Sequence, residues 1–322
     1  MTYQMMIQNE QQVFDVTRLL EGEVSLENSV NGSAGKICFR IMRDGIVSFK
    51  EGCKVLFYVD KKIRFIGWIM SKSRNSNQII SVTAYDQLFY LVKNKDTYLY
   101  QNKKASELLT MIAKDYGLQT GHVTDTGWVI PYRIEEGKTL MDMIHTALEI
   151  TKEHTGKSFY LLNLEGKLSI RSKKELELPI YIRPNGQIKD FFYATDISQH
   201  TYNTVRLFQA GRLEAERLAF EAKNNDKIKE WGRLQYYEHV DHKLTQAQLK
   251  AMADTILSQH CKVERTLQVE ILNPPEQIQA GNSIILEIPD MAEFSLKGSC
   301  FIEKTTTYYA DGESRIKMQI VL

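Results

Sequence analysis

The hydrophobic period changes twice along this chain, from two residues to nearly four and back, and that pattern limits the folds open to it. Residues 1 to about 98 read as β-structure. Cys38-Phe39-Arg40-Ile41-Met42 is predicted as a strand ending at the Arg43-Asp44-Gly45 turn, and Lys54-Val55-Leu56-Phe57-Tyr58-Val59 as a second. After an Asp60-Lys61-Lys62 turn, Ile63 to Ile69 alternates, with Ile63, Phe65, Gly67 and Ile69 expected on one face. The polar turn Arg74-Asn75-Ser76-Asn77 precedes a strand from Gln78 to Ala84, and Asp86 to Leu91 leads out of it. Short strands at this spacing predict a small barrel or sandwich.

From residue 100 the period becomes helical. Ala105 to Tyr116 places Leu108, Leu109, Ile112 and Ala113 on one stripe, with Gly117 as the stop. A second helix is expected from Thr139 to Thr151, with Leu140, Met143, Ile144, Ala147, Leu148 and Ile150 as its apolar positions. Phe159 to Leu162 and Lys167 to Arg171 form a hairpin around Glu165-Gly166. Beyond residue 181 the period returns to two. Tyr202 to Phe208 is a strand, and the charged run Glu214 to Lys229 is either a surface helix or a loop. Thr245 caps the clearest helix, ending at Gln259, on the stripe Leu249, Met252, Ala253 and Ile256. Strands are expected at Arg265 to Ile271, Ser283 to Ile288, Ser299 to Thr307 and Arg315 to Leu322. The expected fold is β-rich α+β. A β-barrel spans 1–98, a small α/β domain 99–185, and a second β-barrel domain, with the helix at 245–259, spans 186–322. No clean internal repeat accompanies this order.

Charge narrows the function. Lysine and arginine number 41 against 40 aspartates and glutamates, a net charge of +1, which excludes a general nucleic-acid-coating surface. The four cysteines, Cys38, Cys53, Cys261 and Cys300, have no CxxC or zinc-finger spacing and read as reduced structural thiols. The start, MTYQMMIQNEQQVFDV, lacks a secretory signal, and no apolar run approaches the ~20 residues of a membrane span. The sequence therefore predicts a soluble chain made in the cytosol.

Reactive constellations are few, and each has a plainer reading. Asp125, Glu135 and Glu136 could supply a glycosidase carboxylate pair. Yet Glu135 and Glu136 are adjacent on an extended segment and point opposite ways, so a solvated turn before Gly137 is the simpler account. His239-Val240-Asp241-His242 could offer metal ligands, with His239 and Asp241 on one strand face, but no third ligand is identifiable. His260 and Cys261 have no matching partners, and His145 and His154 do not share a helix face. Cys38, Cys53 and Cys300 lie in or beside apolar strands, where thiols are inert. Gly32-Ser33-Ala34-Gly35-Lys36 resembles a phosphate loop without its first glycine or the Ser/Thr after lysine, and reads as a strand-entry loop. Lys93, Lys95, Lys103 and Lys104, interleaved with Tyr98 and Tyr100, suit single-stranded nucleic acid, a solvated junction or a protein interface. Arg171, Lys173 and Lys174 form a second, shorter basic run. Tyr98, Tyr100, Trp128 and Tyr132 could stack on sugars or serve as core and subunit-interface residues. No catalytic, cofactor-binding or metal residue is assigned.

Five pieces, in order, carry a family resemblance. They are Val55 to Asp60 with Phe65-Ile66-Gly67-Trp68-Ile69; Ile80 to Leu88 followed by Tyr90 to Asp96; Lys104 to Leu118 with Glu136 to Ile144; Trp231-Gly232-Arg233-Leu234-Gln235; and Ile278 to Ile284 around Gly281-Asn282. Together they resemble the baseplate or tail hub proteins of contractile phage tails and phage-tail-like bacteriocins, in the XkdQ/YqbQ-like branch of the late-control-protein-D-like hub family. The stretch Thr305 to Tyr309 departs from that pattern by lacking a histidine.

The resemblance implies a structural, non-enzymatic protein without cofactors. It implies a homotrimer whose two tube-like barrels per chain build a pseudo-sixfold ring, joining a hexameric tail tube to a trimeric spike. The implied partners are further copies of the chain, the tube and spike proteins, other baseplate proteins and the tape-measure protein, with no membrane insertion and no need for nucleic acid. The implied place is the baseplate of the particle. The alternatives are a prophage-encoded peptidoglycan hydrolase and a carbohydrate-binding tail component.

Overall fold

The computed structural model describes residues 1–10, 12–30, 32–183, 187–209, 218–240, 244–288 and 298–322. The chain forms two compact units, Met1–Phe191 with Gln268–Leu322, and Phe192–Leu267.

The first unit opens with seven strands: β1 (Tyr3–Gln8), β2 (Val13–Asp15), β3 (Val24–Ser29), β4 (Lys36–Met42), β5 (Lys54–Val59), β6 (Lys62–Arg74) and β7 (Ile79–Tyr85). Their alternation buries Met5, Ile7, Ile37, Phe39, Ile41, Val55, Phe57 and Val59 on one side. Ile63 departs from the expected face. A β-bulge between the pairs Phe57–Phe65 and Tyr58–Ile63 turns Ile63 outward with Tyr58, while Phe65, Gly67 and Ile69 stay inside.

The α/β segment follows as α1 (Leu88–Lys93), β8 (Lys95–Lys104), α2 (Ala105–Asp115), β9 (Thr120–Val123), β10 (Val129–Thr139), α3 (Leu140–Thr155), β11 (Phe159–Leu164) and β12 (Lys167–Ser172). Helices α2 and α3 bury the predicted stripes, Leu108, Leu109 and Ile112 against Leu140, Met143, Ile144 and Ala147. Thr139 caps α3 by accepting the Asp142 N–H at 3.0 Å. Strands β11 and β12 pair around Glu165-Gly166 as expected, both turn residues having positive φ. Strands β8 and β10 form a separate two-stranded ribbon that the period did not suggest.

Strands β13 (Glu177–Ile182) and β14 (Ile188–Asp196) lead toward the second unit. That unit contains β15 (Thr204–Gln209), β16 (Leu218–Lys223), α4 (Asn225–Trp231), β17 (Gln235–His239) and α5 (Gln246–His260). Leu249 and Ala253 of α5 cover a sheet of order β16-β15-β17 through Val205, Leu207 and Ala222. The charged run expected as helix or loop thus holds a strand and a short helix, residues 214–217 lying outside the described set. Thr245 and Gln248 form the capping box that starts α5.

The chain returns along β18 (Glu264–Leu272) and adds β19 (Ser283–Leu286), β20 (Gly298–Ala310) and β21 (Glu313–Val321). These strands join the first ones in a single sheet of order β14-β18-β21-β20-β3-β4-β7-β6-β5-β1-β2, with β19 on β20 and β13 on β19. The joint is β20, which pairs with β19 through Gly298 to Phe301 and with β3 through Lys304 to Tyr309. Tyr309 meets Phe57 edge-on, with ring centroids 5.0 Å apart. The fold is β-rich with an α/β segment, as the periods predict. Among the described residues no pairing joins the two ends of the large sheet, so neither set of terminal strands closes as a barrel.

Candidate functional site

The three candidate carboxylates do not share a cleft. Glu135 is buried on β10, ion-paired with Arg133 and 2.9 Å from Lys138 Nζ. Burial pushes its carboxyl up, but the two cations outweigh burial and hold it below the usual glutamate range. Glu136 is exposed on the opposite face. Asp125 pairs with Lys104 at 2.7 Å and accepts the Gly127 N–H at 2.8 Å. Its hydrogen bond from Lys104 lowers its pKa. Glu135 and Asp125 are both held as acceptors, and neither is poised to donate a proton near neutrality.

The histidines and thiols are dispersed. His239 lies on β17 with its ring 5.5 Å from Phe208, and Asp241 and His242 fall outside the described residues. His260 Nδ1 lies 3.0 Å from the His200 carbonyl. His154 stacks on Trp128, centroids 4.0 Å apart and 10° between planes. His145 is half-buried, and desolvation lowers its pKa. Burial likewise raises the Cys261 and Cys300 thiols, which disfavours the nucleophilic thiolate. Among the described residues no three His, Cys, Asp or Glu side chains gather as a metal site.

The loop at Gly32 to Lys36 has the wrong electrostatics for phosphate. A Cβ at Gly35 would strike the side-chain oxygens of Asp86 and Asn28, and Lys36 pairs with Glu27 at 3.7 Å. Of the aromatic residues interleaved with lysines, Tyr100 is buried and Tyr98 donates to Asp115 at 2.8 Å, so neither offers an open stacking face with a free hydroxyl. Arg171 lies 3.4 Å from Glu175, and Lys173 sits over the Phe301 ring. Trp128 is committed to His154, while Tyr132 is exposed on the outer face of the β8–β10 ribbon.

The residues that carried the resemblance occupy turns, close approaches and buried junctions. A Cβ at Gly67 would strike the Tyr85 carbonyl and the Phe65 ring. Gly281 has φ +93° beside the buried Asn282, which accepts the Gln279 N–H at 2.9 Å and donates to the Leu176 carbonyl at 3.2 Å. A model of the YQBQ-like family matches residues 24–321. The chain belongs to the YQBQ-like family. Relatives of this YQBQ-like chain include the uncharacterized protein YqbQ of Bacillus subtilis, 31% identical over 281 residues that make up 85% of this chain and 84% of that protein. The phage-like element PBSX protein XkdQ of the same organism is 30% identical over 245 residues, 76% of this chain and 74% of that protein. Its fold is shared with the prophage MuSo2 43 kDa tail protein of Shewanella oneidensis, at TM-score 0.72 and 12% identity, covering 99% and 98% of the two chains. A tail protein of Neisseria meningitidis matches at TM-score 0.66 and 13% identity, covering 99% and 96%.

Asp86 and Gln87 lie within one of the pieces that carry the resemblance, and the sequence pattern assigns the pair no role. Both side chains are buried at the exit from β7. Asp86 accepts the Leu88 N–H at 2.9 Å and is bonded by the Gly35 N–H and Asn163. Burial nevertheless raises its pKa to about 7. Gln87 donates to the Gln119 and Gly166 carbonyls and accepts the Gln119 N–H at 3.0 Å, tying the β7 exit to the β11–β12 turn. The signal was present: an Asp-Gln pair between Tyr85 and the apolar start of α1 breaks a hydrophobic run where burial is expected.

Proposed function

We propose that this chain is the structural hub of the baseplate of a contractile tail or phage-tail-like particle. Three copies form a ring with pseudo-sixfold symmetry between the hexameric tail tube and the central trimeric spike. The observation that carries this reading is the end-to-end fold likeness to tail proteins, in a chain whose relatives include a PBSX phage-like element protein. It is supported by the chemistry of Glu135, Asp125, Lys36 and Trp128, which make internal ion pairs or stacks.

In this proposal the chain keeps three modules, a first β module over 1–98, the α/β module over 99–185 and a second β module over 186–322. The two β modules of each chain supply the six quasi-equivalent positions that meet the tube, and a near-neutral net charge lets copies pack closely without mutual repulsion. No catalytic step is assigned.

The test is to locate a tagged chain by electron microscopy in particles induced from the host. Three copies at the tube–spike junction are expected. A position on a fibre, or clearing of peptidoglycan by the purified chain, would overturn the hub assignment and favour a receptor-binding component or a cell-wall hydrolase respectively.

A further inference from the structure

The β8–β10 ribbon presents an apolar outer face that the first unit does not cover. Leu99 (61% exposed) lies directly opposite Ile134 (48% exposed), and Tyr132 (55% exposed) is two residues along the same strand. Directly opposed residues share a face, so the three side chains form one patch. On the other face Tyr100 and Glu135 are buried, Tyr100 in the core shared with the helices. Two exposed lysines, Lys95 and Lys103, flank the patch on β8 and form no ion pair with the described residues, and with the exposed Glu136 two residues beyond Ile134 the rim is net basic by one charge.

The same unit carries an apolar pair with the opposite rim. Tyr181 on β13 pairs in register with Ile285 on β19, and both are about two-fifths exposed. Glu177 is exposed on the same strand, and Glu287 accepts the Tyr181 hydroxyl. Arg183 stacks over the Tyr181 ring at 4.8 Å, and among the described residues Glu177, Glu287 and Arg183 leave this rim net acidic by one charge. The whole chain has 41 basic and 40 acidic residues, so a local lysine surplus is balanced elsewhere on the same molecule. Exposed apolar patches rimmed by polar residues mark interaction surfaces. Two patches of opposite rim charge on one chain suit a head-to-tail contact between copies, in which a different surface is used on each side.

We propose that the outer face of the β8–β10 ribbon, centred on Leu99, Tyr132 and Ile134, docks a second copy of this chain through that copy's Tyr181–Ile285 face. The proposal rests on the ring reading above and names the surfaces that would build it. Apolar contact supplies the affinity, and the lysine and glutamate rims set orientation.

The test compares the full-length wild type with Leu99→Asp/Ile134→Asp and with Lys95→Glu/Lys103→Glu by sedimentation velocity, with amide exchange in α2 and α3 as a check on folding. Wild type is expected to sediment as a multiple of the chain mass. Each double variant should weaken association at least tenfold with helix protection unchanged, and Glu177→Lys should restore part of the association lost by Lys95→Glu/Lys103→Glu. A second measurement does not depend on destabilising anything. Leu99→Cys chains mixed with Ile285→Cys chains should form a disulfide-linked pair under mild oxidation, whereas neither should do so alone. Wild type that assembles while the variants assemble equally well, with no mixed cross-link, overturns this surface and leaves the ring reading standing. A wild type that remains a single chain at every concentration overturns both.

Discussion

Asp86 is an unusual residue to find inside a sheet protein, because its carboxylate is buried with only hydrogen bonds and no cation beside it. Its pKa of about 7 in the folded chain stands above the ordinary aspartate value of 3.8. Between those two pH values the unfolded chain gives up the proton while the folded chain keeps it. The folded state therefore binds more protons, and stability falls as pH rises across that window, by at most about 4 kcal/mol for a shift of this size. Asp86→Asn removes the titration. In urea melts at a series of pH values from 4 to 8, the variant is expected to gain stability relative to wild type as pH rises toward 7, with no further gain above it. Parallel stability curves for the two proteins would contradict a buried, proton-retaining Asp86. This role was only half legible in the sequence. A polar pair interrupting an apolar run signals a buried junction, but the partners Gly35, Gln119 and the Asn163–Gly166 hairpin come from three distant places in the chain, and no local pattern announces them.

The elements were legible where a period is clean and obscure where it is not. Helices α2, α3 and α5 and the β11–β12 hairpin follow from stripes, caps and a two-residue turn. The β8–β10 ribbon did not, because its strands carry lysines and tyrosines on β8 and alternating charges on β10, and its inner face buries a glutamate. Tertiary context decides such strands: Glu135 is tolerated inside because Arg133 and Lys138 reach it from the same strand. This gives opposite expectations for two neighbouring carboxylates. Glu135→Ala strands two cations that are only partly exposed and should cost about 1–3 kcal/mol in urea unfolding. Glu136→Ala, on the solvent side, should stay within about 0.5 kcal/mol. Equal effects on stability, or a peptidoglycan-clearing activity lost in both variants, would mean that the ribbon's carboxylates have been misassigned. The expected face of Ile63 failed for a related reason. A single extra residue in β6 reverses the alternation, and nothing local distinguishes a bulge from a regular step.

At the scale of the molecule, the sequence order β, α/β, β conceals a sheet that is built from both ends of the chain. Strand β3 has β4 on one side and β20 on the other, almost 280 residues later, so the N-terminal strands complete their hydrogen bonding only when the C-terminal ones arrive. The second unit, by contrast, is a continuous insertion that begins within β14 and ends within β18. Its entry and exit run side by side within the first unit, where the Leu272 N–H donates to the Gln187 carbonyl at 3.0 Å. A strand pair with adjacent ends can be closed by a two-residue turn. A chain in which 192–267 is replaced by Asn-Gly should therefore keep the first unit folded, with amide protection retained in β3, β4 and β20. The fragment 1–191, which keeps every N-terminal strand but lacks β20, should lose that protection in β3 and β4 and unfold with a shallower denaturant dependence, because β3 then presents an unpaired edge and Tyr309 no longer covers Phe57. If 1–191 folds as cooperatively as the excised chain, the first seven strands are an autonomous module and the β3–β20 joint is a contact between finished domains. If the excised chain fails to fold, the second unit holds the first together, and the division of the chain must be drawn elsewhere.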